Sequence, residues 1–109
     1  MNGYYELKRS GEQYVFNLKA GNHEIILSSE RYAAKASARN GIESVQKNSP
    51  NDARYQKKTA SNGAFYFALT AANGEAIGRS EMYPTEAARD KGIASVKANG
   101  PSTTIKDNT

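Results

Sequence analysis

The sequence predicts an α+β fold in which two tandem βββα repeats form one pseudo-twofold domain, with an antiparallel sheet packed by two helices. Two observations carry this prediction. The chain matches itself at an offset of 51 residues, and each copy shows the alternation of a half-buried strand followed by a helical pattern. We therefore assign residues 1–50 to the first repeat and residues 51–101 to the second.

The match between the two halves is specific. From residue 11 to Pro50, and to its counterpart Pro101, the copies align without a gap. Eighteen positions between residues 4 and 50 are identical in the second copy, namely Tyr4, Ser10, Phe16, Leu18, Ala20, Asn22, Glu24, Ile26, Ser29, Glu30, Tyr32, Ala36, Gly41, Ile42, Ser44, Val45, Asn48 and Pro50. A unit of about fifty residues is marginal by itself. Residues 1–101 are thus expected to form a single domain in which the halves share one core.

Each copy begins with three predicted strands. The first, around residues 4–8 and 55–59, has the weakest pattern. The second alternates with period two, and its inward positions are Tyr14, Phe16, Leu18 and Ala20 in one copy and Phe65, Phe67, Leu69 and Ala71 in the other. Turns rich in Gly and Asn bound this strand, as in tight hairpins. The third strand carries Ile26 and Ile77 toward the core.

A helix is predicted after Tyr32 and Tyr83. Thr85 can cap the second helix, whereas Ala34 stands at the same place in the first copy. The side that faces the sheet is expected to contain Ala34, Ala38, Gly41, Ile42 and Val45, matched by Thr85, Arg89, Gly92, Ile93 and Val96. The glycines indicate close approach of helix to sheet. Residues 102–109 are expected to be a disordered polar tail.

Composition excludes several classes of function. The chain has no cysteine, so disulfides, thiolate metal sites and cysteine nucleophiles are excluded. It has no apolar run of membrane-spanning length and no secretory signal, so we expect a cytoplasmic protein without a membrane partner. The net charge is +4, with seven basic against five acidic residues up to residue 50 and eight against six beyond it. Each half therefore carries +2, which is unlike the concentrated charge of a phosphate-binding surface.

The residues with catalytic potential favour structural roles. His23 is the only histidine and falls in a predicted hairpin turn, where Gly74 stands in the other copy. Glu30 and Glu81 could be paired across the pseudo-twofold axis as hydrolytic carboxylates, but each lies just before a helix, where an acidic residue stabilises the helix start.

The serines also lack the partners that catalysis requires. No histidine is repeated beside them, so we expect capping or backbone hydrogen bonds for Ser29, Ser44, Ser80 and Ser95. We therefore predict no catalytic residue, no metal site and no cofactor.

Aromatic and basic residues raise a second possibility. Seven tyrosines and three phenylalanines could form a stacking surface for single-stranded nucleic acid, although the inward strand positions favour packing. The candidate residues for an anion or nucleic-acid site are Arg54, Lys57, Lys58, Lys8 and Arg9, with Lys19 and Tyr66 beside them.

Several of these motifs together resemble a known family. Ala71-Ala72-Asn73-Gly74-Glu75, Ser80-Glu81-Met82-Tyr83 and Lys91-Gly92-Ile93-Ala94-Ser95-Val96 are similar to the YegP-like family of small, mostly bacterial proteins. The first copy repeats this pattern, with His23 where the family usually has glycine, so the resemblance covers about 100 residues. The resemblance implies a tandem-repeat α+β fold and, because the family is functionally uncharacterised, no activity.

The sequence therefore predicts a class of function and no particular ligand. We expect a non-enzymatic binding or interaction module with an anionic or protein partner, present as a monomer or a homodimer. The alternatives are a self-associating structural protein that pairs through exposed strand edges and a weak nucleic-acid binder.

Overall fold

The computed structural model describes residues 3–109. It contains strands β1 (Tyr4–Ser10), β2 (Gln13–Lys19), β3 (Ile25–Ser28), β4 (Tyr55–Thr59), β5 (Phe65–Thr70), β6 (Ala76–Arg79) and β7 (Ile105–Asn108), helices α1 (Lys35–Asn48) and α2 (Glu86–Asn99), and a short 3₁₀ helix (Asp52–Arg54). All strands belong to one sheet of order β4-β5-β6-β3-β2-β1-β7. The predicted α+β class and the tandem repeat are confirmed.

The sheet shows the pseudo-twofold symmetry at its centre. The two copies join where β3 pairs with β6 through Ser28 and Arg79, which are equivalent positions at the offset of 51 residues. On either side the order β3-β2-β1 mirrors β6-β5-β4. Every pairing within these six strands is antiparallel, so each hairpin can be closed by a short turn.

In the first strand, equivalent residues of the two copies are 50 positions apart, whereas elsewhere they are 51 positions apart. Tyr5 pairs with Leu18, and Tyr55 pairs with Leu69, so Tyr5 corresponds to Tyr55. The sequence match of Tyr4 with Tyr55 is therefore not a structural equivalence. The cause is the hairpin turn, which has two residues after Ser10 in the first copy but three before Ala64 in the second.

The helices cover one face of the sheet and enclose a core built from both copies. Its largest fully buried side chains are Tyr5, Leu7, Phe16, Leu18, Leu27, Ile42, Val45, Phe67, Leu69 and Val96. The predicted buried sides of the helices are confirmed from Ala38 and Arg89 onward, whereas the capping positions Ala34 and Thr85 are exposed.

Two tyrosines explain the repeated helix glycines. A Cβ at Gly41 would lie 2.5 Å from the hydroxyl oxygen of Tyr32, and a Cβ at Gly92 would overlap the hydroxyl of Tyr83. In the first copy Phe16 on β2 also lies 2.9 Å from that point. The close approach is thus mainly to the tyrosine that precedes each helix, and in the first copy it includes a residue of the sheet.

Contacts between the copies close the domain at both helix ends. The Tyr5 hydroxyl donates to the Gly100 carbonyl at 2.6 Å, and the Tyr55 hydroxyl donates to the Ser49 carbonyl at 2.7 Å. Each bond therefore joins the first strand of one copy to the residue that follows the helix of the other copy. Burial raises the pKa of both tyrosines well above the ordinary value.

The end of the chain differs from the prediction of a disordered tail over residues 102–109. Residues 105–108 form β7, which pairs parallel to β1 from Tyr5↔Ile105 to Lys8↔Asn108. The polar composition of the tail concealed one apolar residue, Ile105, which packs against the core. Asp107 adds ion pairs with Lys35 and Arg39 of α1, and together these contacts order the segment.

Candidate functional site

The five predicted binding residues lie in two separate groups. Lys8 and Arg9 are on β1, the sixth strand of the sheet, whereas Lys57 and Lys58 are on β4, the first strand, and Arg54 precedes β4. Because neighbouring strands are about 4.8 Å apart, the two groups are separated by roughly 24 Å. The structure does not bring the five residues into one patch.

The group beside β4 is largely engaged by protein groups. Arg54 Nε donates to Asn48 Oδ1 at 3.1 Å. Lys57 Nζ lies 3.2 Å from Asp90 Oδ1, and its hydrogen bond is the main cause that lowers the pKa of that carboxyl. Lys58 is exposed and forms no ion pair within residues 3–109.

The group on β1 is engaged in a different way. Lys8 Nζ is 3.9 Å from Glu6, whose carboxylate also lies 2.9 Å from Lys19 Nζ. The hydrogen bond from Lys19 is the main cause that lowers the pKa of Glu6. The guanidinium of Arg9 lies 5.5 Å from the centre of the Tyr14 ring, a cation–π distance.

A groove of about 340 Å³ runs between β4 and α2. Its floor is apolar and its walls carry charges of both signs. The lining residues are Asp52, Tyr55, Lys57, Asp90, Ile93, Ala94 and Lys97. Lys97 forms an ion pair with Asp52, and its Nζ lies 5.8 Å from the centre of the Tyr55 ring. The sequence predicted Lys57 for this region but missed the groove and its acidic members.

The corresponding position beside β1 is filled by β7. Ile105 lies opposite Tyr5, and Asp107 reaches α1, where its carboxylate is 2.7 Å from Lys35 Nζ and 3.0 Å from an Arg39 guanidinium nitrogen. The hydrogen bond from Lys35 is the largest cause that holds the pKa of Asp107 well below its usual range. The equivalent strands β1 and β4 thus differ: β1 has a parallel neighbour on its outer side, and β4 has none among residues 3–109.

The predicted backbone hydrogen bonds are found for two of the four serines, Ser29 and Ser80. Ser29 Oγ accepts from the Phe16 amide at 2.9 Å, and Ser80 Oγ accepts from the Phe67 amide at 3.0 Å. Each of these hydroxyls then donates to the carbonyl of the next residue. Ser44 and Ser95 each accept from an asparagine side chain one turn later, in Asn48 and Asn99. The same hydrogen bonds therefore recur at equivalent positions of the two repeats.

The two glutamates are not brought together. Each lies two residues beyond the Ser28↔Arg79 pair, and the two strands leave that pair in opposite directions. Both carboxylates are exposed, and each acts on the tyrosine that precedes the helix of its own copy. Burial first, then Glu30, raises the pKa of Tyr32, and burial first, then Glu81, raises the pKa of Tyr83.

His23 lies in a surface turn, as predicted. Its φ of 70° is left-handed and matches the 85° of Gly74 at the equivalent turn. Nothing in the sequence indicated its neighbour, the Tyr4 hydroxyl, which lies 2.9 Å from His23 Nδ1. The imidazole is therefore engaged by a tyrosine of β1, which fits a packing role in the turn.

The aromatic residues largely follow the packing prediction. Phe16 and Phe67 are fully buried, and Tyr14, Tyr32, Tyr55 and Tyr83 pack against the same core. Over residues 3–109 there is no group of His, Asp and Glu suited to hold a metal ion. In the same part of the chain, the helices are too short and polar to span a bilayer.

Known proteins share both the sequence and this architecture. The family model Domain of unknown function (DUF1508) matches residues 10–56 and again residues 60–107. A UPF0339 protein of Bordetella pertussis (strain Tohama I) is 67% identical over 109 residues, which cover 100% of this chain and 98% of that protein. UPF0339 protein YegP of Escherichia coli (strain K12) is 60% identical over 110 residues, covering 100% of both.

A solved structure is equally similar. The solution NMR structure of yegP from E. coli, described as a protein of unknown function, has a TM-score of 0.94 and 60% identity, and the match covers 100% of this chain and 95% of that chain. The two segments matched by the family model begin near β2 and β5 and end within β4 and β7. In sequence, β7 is therefore the counterpart of β4.

Proposed function

The chain belongs to the family of the domain of unknown function DUF1508, and from that premise we propose that it is a non-enzymatic interaction module that binds a partner protein along the open edge of β4. One observation carries the proposal. Of two equivalent strands, β1 is paired with β7 on its outer side, whereas β4 ends the sheet. An edge strand presents unpaired amide and carbonyl groups, and an extended peptide can add to it as a further strand.

The groove beside β4 supports a peptide ligand. Its floor is formed by Tyr55, Ile93 and Ala94, and its rim carries charged groups of both signs. Main-chain pairing with the edge supplies affinity in such sites, and pockets for alternate side chains supply specificity. The groove provides such a pocket on the side of the sheet that α2 covers.

The charges favour a protein over a nucleic acid. Phosphate-binding surfaces concentrate unpaired Lys and Arg, but here Lys57 is paired with Asp90 and Lys97 with Asp52. The two carboxylates would repel a phosphate backbone in the groove. Binding of nucleic acid is thus the disfavoured alternative for this edge.

Self-association through the same edge is also disfavoured. If β4 paired antiparallel with β4 of a second copy, it would bring two sets of Lys57 and Lys58 together. Lysine on edge strands is a recognised means of preventing such pairing.

The predicted cytoplasmic location stays a prediction.

The proposal can be tested by selecting peptides from a displayed random library against the full chain and titrating the best peptide into isotopically labelled protein. We expect amide shifts at Tyr55–Thr59 and on α2. Ala94 is exposed and lines the groove, so Ala94→Arg should abolish binding, whereas Ala87→Arg, an exposed position on α2 outside the groove, should not.

Two results would overturn the proposal. One is that the selected peptides bind elsewhere or that none bind. The other comes from fluorescence anisotropy with single-stranded RNA and DNA at low and moderate salt: salt-sensitive binding that is lost in Lys57→Ala/Lys58→Ala would assign the edge to nucleic acid.

A further inference from the structure

Strand β7 shows how a segment docks on an edge of this sheet. It runs parallel to β1, with Ile105 opposite Tyr5 and Asp107 opposite Leu7. Ile105 is half-buried against the core, and the carboxylate of Asp107, two residues later, is held by the cations of α1. The docked segment thus uses an apolar residue and, two positions on, a charge that matches the helix.

The same frame can be placed on the open edge. Tyr55 corresponds to Tyr5, because each pairs with the equivalent leucine of the next strand. A segment docked on β4 in the manner of β7 would place its apolar residue opposite Tyr55 and its second inward residue opposite Lys57. The apolar position is incompletely covered at present: Ile93 is 7% exposed, whereas its counterpart Ile42 is 0% exposed.

The charges of the two helices are opposite at the decisive positions. Lys35 and Arg39 of α1, which hold Asp107, are replaced by Glu86 and Asp90 at the equivalent positions of α2. A docked segment that meets two cations beside β1 would meet two carboxylates beside β4. Asp90 Oδ1 now lies 3.2 Å from Lys57 Nζ and 3.4 Å from Arg89 Nε. Because the Lys57 side chain is 54% exposed, it can move into solvent when another cation arrives.

We infer that the β4 edge recognises, parallel to β4, an extended segment of a partner protein that carries an apolar residue followed two positions later by Lys or Arg. This inference rests on the proposed function and adds the direction and the sequence of the ligand. Opposite charges select the basic residue, and the groove floor of Tyr55, Ile93 and Ala94 selects the apolar one.

The same charges discriminate against a second copy of this chain. If β7 of another molecule docked on β4, its Asp107 would lie opposite Lys57 and would also face Glu86 and Asp90, two carboxylates against one exposed lysine. Like charges brought together in this way cost binding energy and suppress wrong partners. The inversion between α1 and α2 thus keeps β7 on its own β1 edge and leaves the β4 edge for a different sequence.

The chain itself supplies the matched probes. One synthetic peptide has the sequence of residues 101–109, and a second carries Asp107→Lys within it. We expect the second peptide to bind the full chain about tenfold more tightly than the first, as a single favourable ionic contact of about 1.4 kcal/mol would give. The control is Ile105→Ser in the Asp107→Lys peptide, which should lose binding because the groove floor is left without an apolar contact.

A charge exchange in the protein provides the converse measurement. In Glu86→Lys/Asp90→Arg, α2 carries cations at the two positions where α1 has Lys35 and Arg39, and the preference between the two peptides should reverse. Both positions are exposed, so the variant is expected to fold, and circular dichroism checks this. A spin label at the peptide's amino end should broaden amides near Tyr55 rather than near Thr59 if the peptide runs parallel to β4.

The outcomes separate the inference from the proposed function. Peptides from the random library that bind at β4 without an apolar-x-basic pattern, or an unchanged preference in the exchanged variant, would overturn the inference and leave the proposed function standing. Absence of any peptide at β4 would overturn both. Shifts of Lys35 and Arg39 instead of Tyr55–Thr59 would show that the peptide displaces β7, which also contradicts the inference.

Discussion

The first repeat is covered at its outer edge, and the second is not. The covering strand β7 is held by an apolar contact and by the ion pairs of Asp107 with α1, while the second repeat keeps an open edge beside a groove. Core residues such as Phe16 and Phe67 or Val45 and Val96 are identical in the two copies. The comparison teaches that the shared core constrains the repeats, whereas their outer edges have diverged in charge and covering.

Near the symmetry axis the copies differ for another reason. A Cβ at Gly78 would lie 2.7 Å from the side chain of Leu27, and a Cβ at Gly100 would overlap the side chain of Ser49. Gly78 is the counterpart of Leu27, and Gly100 is the counterpart of Ser49. Equivalent positions that meet near the axis have room for one side chain only, so one copy carries it and the other has glycine.

The largest effect is expected from separating the copies. Residues 1–50 alone should be unfolded, or should dimerise, because half of the core and the bond from the Tyr5 hydroxyl to Gly100 are lost. Circular dichroism and light scattering measure both possibilities. A folded monomer of residues 1–50 would show that each repeat is an independent domain and would break the comparison.

A smaller effect is expected from exchanging one pair near the axis. Leu27→Ala should lower the free energy of unfolding by about 2 to 5 kcal/mol through the cavity it leaves, and Gly78→Leu by about 1 to 3 kcal/mol through overpacking. Because the second change fills the space that the first empties, the double variant should be more stable than the sum of the two losses predicts. Strict additivity in urea unfolding would mean that the two positions do not share one space.

Much of this architecture could be predicted from the sequence. The offset of 51 residues, the alternation in β2 and β5 and the buried sides of the helices depend on local patterns that tertiary contacts reinforce. The one-residue shift in the first strand could not be predicted, because identical residues at Tyr4 and Tyr55 favoured the wrong alignment. The strand β7 was missed because Ile105 alone distinguishes it from a polar tail, and its order depends on contacts distant in sequence.

The site was less predictable than the fold. The basic residues were chosen by composition, and the structure separates Lys8 and Arg9 from Lys57 and Lys58 by most of the sheet. A usable signal was nevertheless present: the cations Lys35 and Arg39 are replaced by the carboxylates Glu86 and Asp90 at the equivalent positions of the second copy, 51 residues later. That inversion acquires a meaning only when the sheet order shows that one edge is covered and the equivalent edge is open.

The helix starts offer a third way to sharpen the comparison. Thr85 Oγ1 accepts from the Ala88 amide at 3.1 Å, whereas Ala34 provides no side-chain cap for α1. We expect Thr85→Ala to lower the free energy of unfolding by about 1 kcal/mol, and Ala34→Thr to raise it by up to about the same amount. Urea unfolding at neutral pH measures both. A loss with Ala34→Thr would show that the first helix start is fixed by other contacts and that the copies differ there in more than the cap.

The smallest effect concerns the acid sensitivity of the covered edge. Because hydrogen bonds and ion pairs lower the folded-state pKa of Asp107, its contribution is complete above the ordinary aspartate pKa of about 3.9 and is lost as the pH falls through the lower folded value. Cross-strand nuclear Overhauser contacts between Tyr5 and Ile105 should therefore weaken in acid before the rest of the sheet changes. Asp107→Asn should weaken them already at neutral pH and remove this dependence on pH.

The matched control for the covered edge is Asp90→Asn, which removes the ion pairs of Asp90 with Lys57 and Arg89 beside the open edge and should leave β7 in place. The same contacts between Tyr5 and Ile105 measure this outcome at neutral pH. If Asp90→Asn released β7 as readily as Asp107→Asn did, the two edges would be coupled through the helices, and the covering of one edge would not be a local property of the first repeat.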